Sequence, residues 1–177
     1  MVRPLLVKWF LFFGLLVGEI FPGEKALAAP EPTMRVLIHQ SKKLRIRADR
    51  DFPLLIEGVS YGIKEAKSFS LLRRSGRISA ILKSNSNESF MLNRDSVIFV
   101  RTNDSRGIWL GNRRYRGTLR IYIKDGLFLV VNHLGVEKYL ASVVGSEMPK
   151  TWLLAALQAQ AVAARTYALK RSSSDNF

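Results

Sequence analysis

One carboxylate in the chain, Glu147, stands where an acid-base group could act, in a tight connection between two helical patterns. A carboxyl group acts as a general acid only if part of it stays protonated, which requires burial or a nearby like charge. Val143, Val144, Met148 and Trp152 are apolar neighbours in sequence that favour this chemistry. The start of the following helix favours the anion instead, and a plain helix-capping role is the alternative. The sequence leaves open which effect wins.

The second helical pattern carries four further polar candidates. Arg165 follows Gln158 by seven residues, which is two helical turns, so both side chains project from one face. An arginine fork suits a carboxylate or an acetamido oxygen of a sugar, but Arg165 could equally pair with a protein carboxylate such as Glu137. Gln160 and Tyr167 are weaker candidates for ligand contact.

The elements that position these residues are a buried strand and two helices. An apolar run, Leu127–Val131, predicts the strand, and apolar residues then recur at helical spacing. We expect this first helix to end near Gly145, because glycine tolerates the left-handed conformation that closes a helix and Pro149 blocks continuation. A longer, alanine-rich helix is predicted from about Trp152 to Lys170.

Several segments of the chain match one known domain pattern. They are Tyr115-Arg116-Gly117, residues 131–140, Val143–Pro149, Trp152 and Ala156–Ala168. In these segments the chain resembles the SpoIID/LytB domain, the domain of stage II sporulation protein D and related cell-wall proteins. A match of this length is more specific than a short motif. The chain departs from the family after Trp152, where the family usually has proline and then an acidic residue.

The resemblance implies an activity and roles for the candidate residues. SpoIID-like enzymes are lytic transglycosylases that cut the bond between N-acetylmuramic acid and N-acetylglucosamine. Glu147 would act first as acid and then as base, while the muramyl 6-hydroxyl attacks in place of water. Arg165, with Gln158, Gln160 and Tyr167, would bind substrate near it. The alternative function is a non-catalytic glycan-binding module that localises or enhances a cell-wall amidase.

For the whole chain we predict an α+β fold, in which an antiparallel β-rich region precedes a short helix and a long alanine-rich helix. Short apolar or alternating segments separated by turn residues fill most of residues 34–131. The domain plan is a signal peptide at 1–28, a linker at 29–33 and the SpoIID/LytB-like domain at 34–177, with the family-like core motif at 115–170. We expect this to be the N-terminal portion of a domain that continues further.

Two local patterns within the β-rich region stand out. Thr118–Ile123 alternates, Lys124-Asp125-Gly126 is a turn sequence and the apolar run follows, which together predict a β-hairpin. Just before it, Trp109 and Tyr115 lie among arginines. Aromatic rings beside arginine suit sugars, although half-buried strand residues are the favoured interpretation.

The N-terminal sequence, the charge and the composition indicate where the protein is located and which kinds of partner it binds. We predict a cleaved signal peptide from the charged start, the short apolar run and the small-residue site at Ala26-Leu27-Ala28. The protein would then be exported to the periplasm, the cell wall or the exterior, and the mature chain would have no membrane span. A formal charge of +14 predicts attraction to polyanions such as wall glycans, with a cell-wall amidase as a further candidate partner. Scattered basic residues argue against nucleic acid. Without cysteine, and with two isolated histidines, we expect neither metal nor cofactor.

Overall fold

The computed structural model describes residues 30–49, 51–149 and 151–174. The described residues form twelve strands and two helices in chain order. The strands are β1 Thr33–Ser41, β2 Lys43–Arg47, β3 Leu54–Glu57, β4 Lys64–Ala66, β5 Ser68–Arg74, β6 Arg77–Lys83, β7 Asn87–Leu92, β8 Ile98–Thr102, β9 Ile108–Leu110, β10 Arg113–Tyr115, β11 Thr118–Lys124 and β12 Leu127–Gly135. The helices are α1 Val136–Glu147 and α2 Leu154–Ser174.

The strands are divided between two six-stranded sheets. The first sheet has the order β1-β12-β11-β8-β3-β4, and the second has the order β10-β9-β2-β5-β6-β7. Every neighbouring pair in both sheets is antiparallel. The two sheets share one hydrophobic core, because alternate residues of each strand point to the same face and are withdrawn from water. Fully buried residues of this main core include Ile56, Val100 and Ile121 from the first sheet and Phe69 and Leu71 from the second.

The predicted α+β fold class, with one β-rich region followed by two helices, is therefore wrong. The fold is β-rich and is built on two antiparallel sheets, and the described residues add just two helices to it. The physical reason is that alternation identifies strands but does not tell which sheet each strand joins. Strand pairs such as β1 with β12 join segments far apart in sequence, and this pairing organises the molecule.

The hairpin predicted next to the helices is confirmed. β11 pairs with β12 in register from Thr118 opposite His133 to Lys124 opposite Leu127. Asp125 and Gly126 both have positive φ, 50° and 74°, as a two-residue turn of this kind requires. β12 continues to Gly135, beyond the end of the predicted apolar run, and leads directly into α1.

The first helix ends later than the sequence predicts. α1 runs through Gly145 and ends at Glu147, so Glu147 belongs to the helix and does not lie in a separate connection. Met148 is extended, with φ −115° and ψ 135°, which is the conformation that a following proline imposes. Pro149 therefore terminates α1, and the glycine does not.

A small second core attaches the helices to the sheet. Met34 and Leu134 from β1 and β12 pack with Val136 and Leu140 of α1 and with Ala168 of α2. Neither helix within the described residues has the length and apolar character needed to span a membrane.

The residues just before β1 fasten the start of α1. The backbone N–H of Glu137 donates a hydrogen bond of 2.8 Å to the carboxylate of Glu31, and that of Val136 donates one of 2.9 Å to the carbonyl of Pro32. A carboxylate at a helix N-terminus satisfies a free donor and complements the helix dipole. The entry to α1 is thus fixed from a segment more than a hundred positions earlier in the chain.

Candidate active site

Glu147 is the last residue of α1, and its side chain is exposed. Its Oε2 accepts a hydrogen bond of 3.1 Å from the side-chain amide of Gln160 on α2. The carboxylate is therefore oriented by the neighbouring helix and still open to solvent. The apolar surroundings that the sequence suggests are incomplete, since Trp152 is itself 52% exposed.

A cleft of about 300 Å³ surrounds this carboxylate, and we call it the Glu147 cleft. One wall is α1 and the other is α2, where two alanines allow the helices to approach closely. The cleft is lined by Tyr139, Val143, Glu147, Gln160, Ala163, Ala164 and Tyr167. It brings together an oriented carboxylate and two tyrosine rings, which are the kinds of group that bind and cleave a sugar chain.

Arg165 lies outside this cleft. Its Nη2 donates to Oε2 of Glu137 at 2.6 Å, and both side chains are about half exposed, at 49% and 58%. The sequence allows Arg165 either to bind a sugar or to pair with Glu137. In the structure Arg165 pairs with Glu137. Gln158 is exposed and does not line the cleft either.

The structure thus brings together three of the five predicted site residues, Glu147, Gln160 and Tyr167. Tyr167 also accepts a hydrogen bond of 2.9 Å from Arg171 Nη1. Helix geometry explains this division, because residues two apart on a helix point in nearly opposite directions. Gln158 and Arg165 share one face, and Gln160 and Tyr167 share another. The role of each residue in substrate binding stays a prediction.

Sequence reasoning missed a second depression, which adjoins the Glu147 cleft along α1. We call it the basic groove; its volume is about 490 Å³. Tyr139 and Val143 line both sites. The basic groove is lined by Val36, Ile38, Arg113, Arg114, Tyr115, Arg116, Asn132, Leu134, Tyr139, Ser142, Val143 and Ser146. The Arg113-Arg114 pair and the Tyr115-Arg116-Gly117 motif were visible signals, but sequence does not show that β10 faces α1.

Of the two interpretations of the aromatic residues before the hairpin, sugar binding and strand packing, Trp109 fits strand packing. Arg47 and Arg114 approach its ring at 4.7 and 4.6 Å from the centroid, and the indole N–H donates to Asp49 at 2.8 Å. Asp49 also pairs with Arg114 and Arg106. Because guanidinium groups already stack on this ring and its donor is used, Trp109 does not offer a platform for a sugar.

Three titratable groups outside the cleft are perturbed. Burial, and then the positive charges of Arg120 and Arg35, lower the pKa of His133 to about 4. Hydrogen bonds from the side chain and backbone of Arg106 lower the pKa of Asp104, and the side-chain hydrogen bond with Asp104 raises the pKa of Arg106. His133 lies on β12, and Asp104 and Arg106 lie in the loop between β8 and β9. No cluster of three or more potential metal ligands occurs among the described residues.

Comparison with known proteins adds a family to this geometry. The sequence model of the family described as SpoIID, stage II sporulation protein, matches residues 124–177. An uncharacterised protein of Brachyspira hyodysenteriae is 40% identical over 76 residues, which are 43% of this chain and 20% of that relative. The chain therefore aligns with about a fifth of that relative's length. No solved structure matches. The match expected from the sequence is therefore found at residues 124–177, which include α1, α2 and Glu147. The SpoIID family is associated with the cell wall.

Proposed function

We propose that this chain is part of a peptidoglycan lytic transglycosylase that cleaves between N-acetylmuramic acid and N-acetylglucosamine. The observation that carries the proposal is the position of Glu147. Its exposed carboxylate lines a cleft between two helices and accepts a hydrogen bond from Gln160 of the opposite helix. The SpoIID match of the same segment supports this assignment.

In the proposed reaction Glu147 serves both proton transfers. Protonated Glu147 gives its proton to the glycosidic oxygen as the bond from the muramyl C1 breaks. The 6-hydroxyl of the same muramyl unit attacks C1, and the Glu147 carboxylate takes the hydroxyl proton. The products are an anhydro-muramyl end and a free hydroxyl on the departing sugar, and Glu147 regains its proton. A single carboxylate is therefore sufficient.

Gln160 and the tyrosines have supporting parts in this scheme. The hydrogen bond from Gln160 occupies one carboxylate oxygen, Oε2, and so directs the other oxygen away from α2. Tyr139 and Tyr167 lie on opposite helices of the cleft and offer ring faces to a sugar. Such positioning matters because a displacement of about 1 Å can cost on the order of 10²-fold in rate.

A second candidate function is a glycan-binding module that localises or enhances a cell-wall amidase. The exposure of Glu147 favours this alternative, because a general acid works best in a site shielded from water. The basic groove beside the cleft would serve binding equally well in either function.

The Glu147→Gln variant of the full-length protein separates the two. Gln keeps the size and the hydrogen-bonding capacity but cannot transfer the proton, so we expect release of anhydro-muramyl products from purified glycan strands to fall ~10²- to 10⁴-fold. Binding of the strands should persist. Mass spectrometry of the digested strands measures the anhydro ends, and Glu65→Gln, at the exposed position of β4, is the matched control. Cleavage by the Gln variant at the parental rate would assign Glu147 to the helix end and favour the binding module.

We also propose that the protein acts outside the cytoplasm. The signal-peptide prediction for residues 1–28 lies outside the described residues, so it rests on the sequence alone. Sequencing of the mature N-terminus tests it, and a start at Met1 in the wall or membrane fraction would contradict cleavage.

A further inference from the structure

The basic groove has a one-sided charge. Arg113, Arg114 and Arg116 line it, and no carboxylate occurs among the described residues that line it. The positive charge of Arg114 is balanced by protein carboxylates, because Asp49 pairs with it and Oδ2 of Asp104 lies 3.7 Å from its Nη2. Arg113 and Arg116 are exposed and form no ion pair with another described residue. The groove therefore holds two uncompensated guanidinium groups within reach of a bound ligand.

A buried amide lies in the same groove. Asn132, on β12, is 4% exposed, and its Oδ1 has no hydrogen-bond partner among the described residues. Buried polar atoms are almost always hydrogen-bonded, and one that is not needs an explanation. As an acceptor, Oδ1 requires a donor such as an N–H or a hydroxyl group. Asn132 lines the groove, but Oδ1 itself has almost no accessible surface, so this amide is a buried polar part of the groove wall and not a contact for a ligand.

The groove is continuous with the Glu147 cleft. Tyr139 and Val143 line both depressions, and Ser142 and Ser146 extend the groove along the same helix. From Tyr139 to Ser146 is two helical turns, about 10 Å along the axis. A chain of sugars seated at Glu147 can therefore place its next unit in the basic groove without leaving α1.

We propose that the basic groove is a binding subsite for an acidic N-acetylated sugar unit. Arg113 and Arg116, both exposed in the groove, bind its carboxylate through charged hydrogen bonds. Arginine suits this role because its planar fork matches a carboxylate. The inference rests on the proposed function for its substrate class, but it concerns binding alone and needs no proton transfer.

Charge reversal in the groove tests the proposal. The Arg113→Glu/Arg116→Glu double variant of the full-length protein is compared with Arg94→Glu/Arg77→Glu, which makes the same charge change at exposed positions outside the groove. All variants carry Glu147→Gln, so cleavage does not interfere. Loss of charged hydrogen bonds predicts roughly tenfold or greater weakening of binding to purified glycan strands in the groove variant alone. Equal binding by both double variants would overturn the subsite and leave the proposed reaction intact.

The source of the anion is tested with a matched ligand pair. N-acetylmuramic acid and N-acetylglucosamine differ in the lactyl carboxylate, and we expect amide NMR shifts at residues 113–116 and 132 with the first sugar at concentrations where the second gives none. Inorganic phosphate is the third ligand. Equal shifts from both sugars, or from phosphate as from N-acetylmuramic acid, would overturn the assignment to an acidic sugar.

Discussion

At the scale of single residues, the partners of Arg165 decide how its role can be tested. Sequence alone leaves Arg165 equally suited to a sugar and to Glu137, and the fold places it against Glu137 at 2.6 Å. Both side chains are about half exposed, so water and salt screen their attraction. Half-exposed ion pairs contribute about 0–1 kcal/mol to stability.

We therefore expect Arg165→Ala to reduce the free energy of unfolding by less than about 1 kcal/mol. A double-mutant cycle with Glu137→Ala, measured by denaturant unfolding, gives the coupling energy of the pair directly. Arg165→Lys, which keeps the charge but loses the fork, is assayed for activity in parallel. A large fall in stability that matches the fall in activity would make Arg165 a structural residue, whereas loss of activity alone would indicate contact with substrate.

The residue scale also marks what sequence could predict of the site. Gln160 and Tyr167 share one face of α2, whose period can be read from the sequence, and the close pairing of α1 with α2 follows from a short connection. Glu147 is different, because the sequence predicts it between the helices and the structure places it at the end of α1. Asn132 and Arg116 could not be placed, because their meeting depends on how β10 and β12 lie relative to α1. That geometry follows from strand pairing between distant segments, which the local pattern does not contain.

At the scale of elements, β12 has buried side chains on both faces of its sheet. Phe128, Val130 and Asn132 point to the inner face, and His133 points to the outer face opposite Arg35 on β1. The hairpin with β11 was predictable because its turn sequence is local. The pairing of β12 with β1 was not, and it creates the environment of His133: a pocket of about 320 Å³ that also contains Leu37, Tyr122 and Lys124.

This environment predicts a pH dependence of stability. Burial, Arg120 and Arg35 lower the pKa of His133 from 6.5 to about 4, so between these values the unfolded chain binds a proton that the folded protein does not. The free energy of unfolding should therefore fall as the pH is lowered from about 6.5 to about 4.

The measurement is urea denaturation across this pH range in His133→Gln, with His39→Gln as the matched control. His39 is exposed on the same sheet, at β1. We expect the Gln variant at 133 to show a shallower loss of stability on acidification and the control to follow the parent. Parallel pH profiles for all three proteins would show that protonation of His133 does not limit acid stability.

At the scale of the whole molecule, the described chain has two cores of very different size. The main core lies between the sheets, and the small core joins α1 and α2 to the ends of β1 and β12. The composition, with 47% hydrophobic residues, does not show how the apolar residues divide between the two cores. The helices that form the Glu147 cleft are thus held by a few contacts, among them Leu140, which is 4% exposed.

Unequal cores predict that the cleft opens more readily than the sheets. Leu140→Ala removes a buried side chain from the small core, and such changes cost about 2–5 kcal/mol. In the full-length protein, hydrogen exchange followed by mass spectrometry should show faster exchange in α1 and α2, with β5 and β6 unchanged, because local openings need less free energy than global unfolding. Leu71→Ala makes the same change in the main core, where Leu71 is fully buried, and should accelerate exchange in both regions. Equal acceleration of helices and sheets by Leu140→Ala would mean that the two cores unfold as one cooperative unit, and that the cleft is as rigid as the sheets that support it.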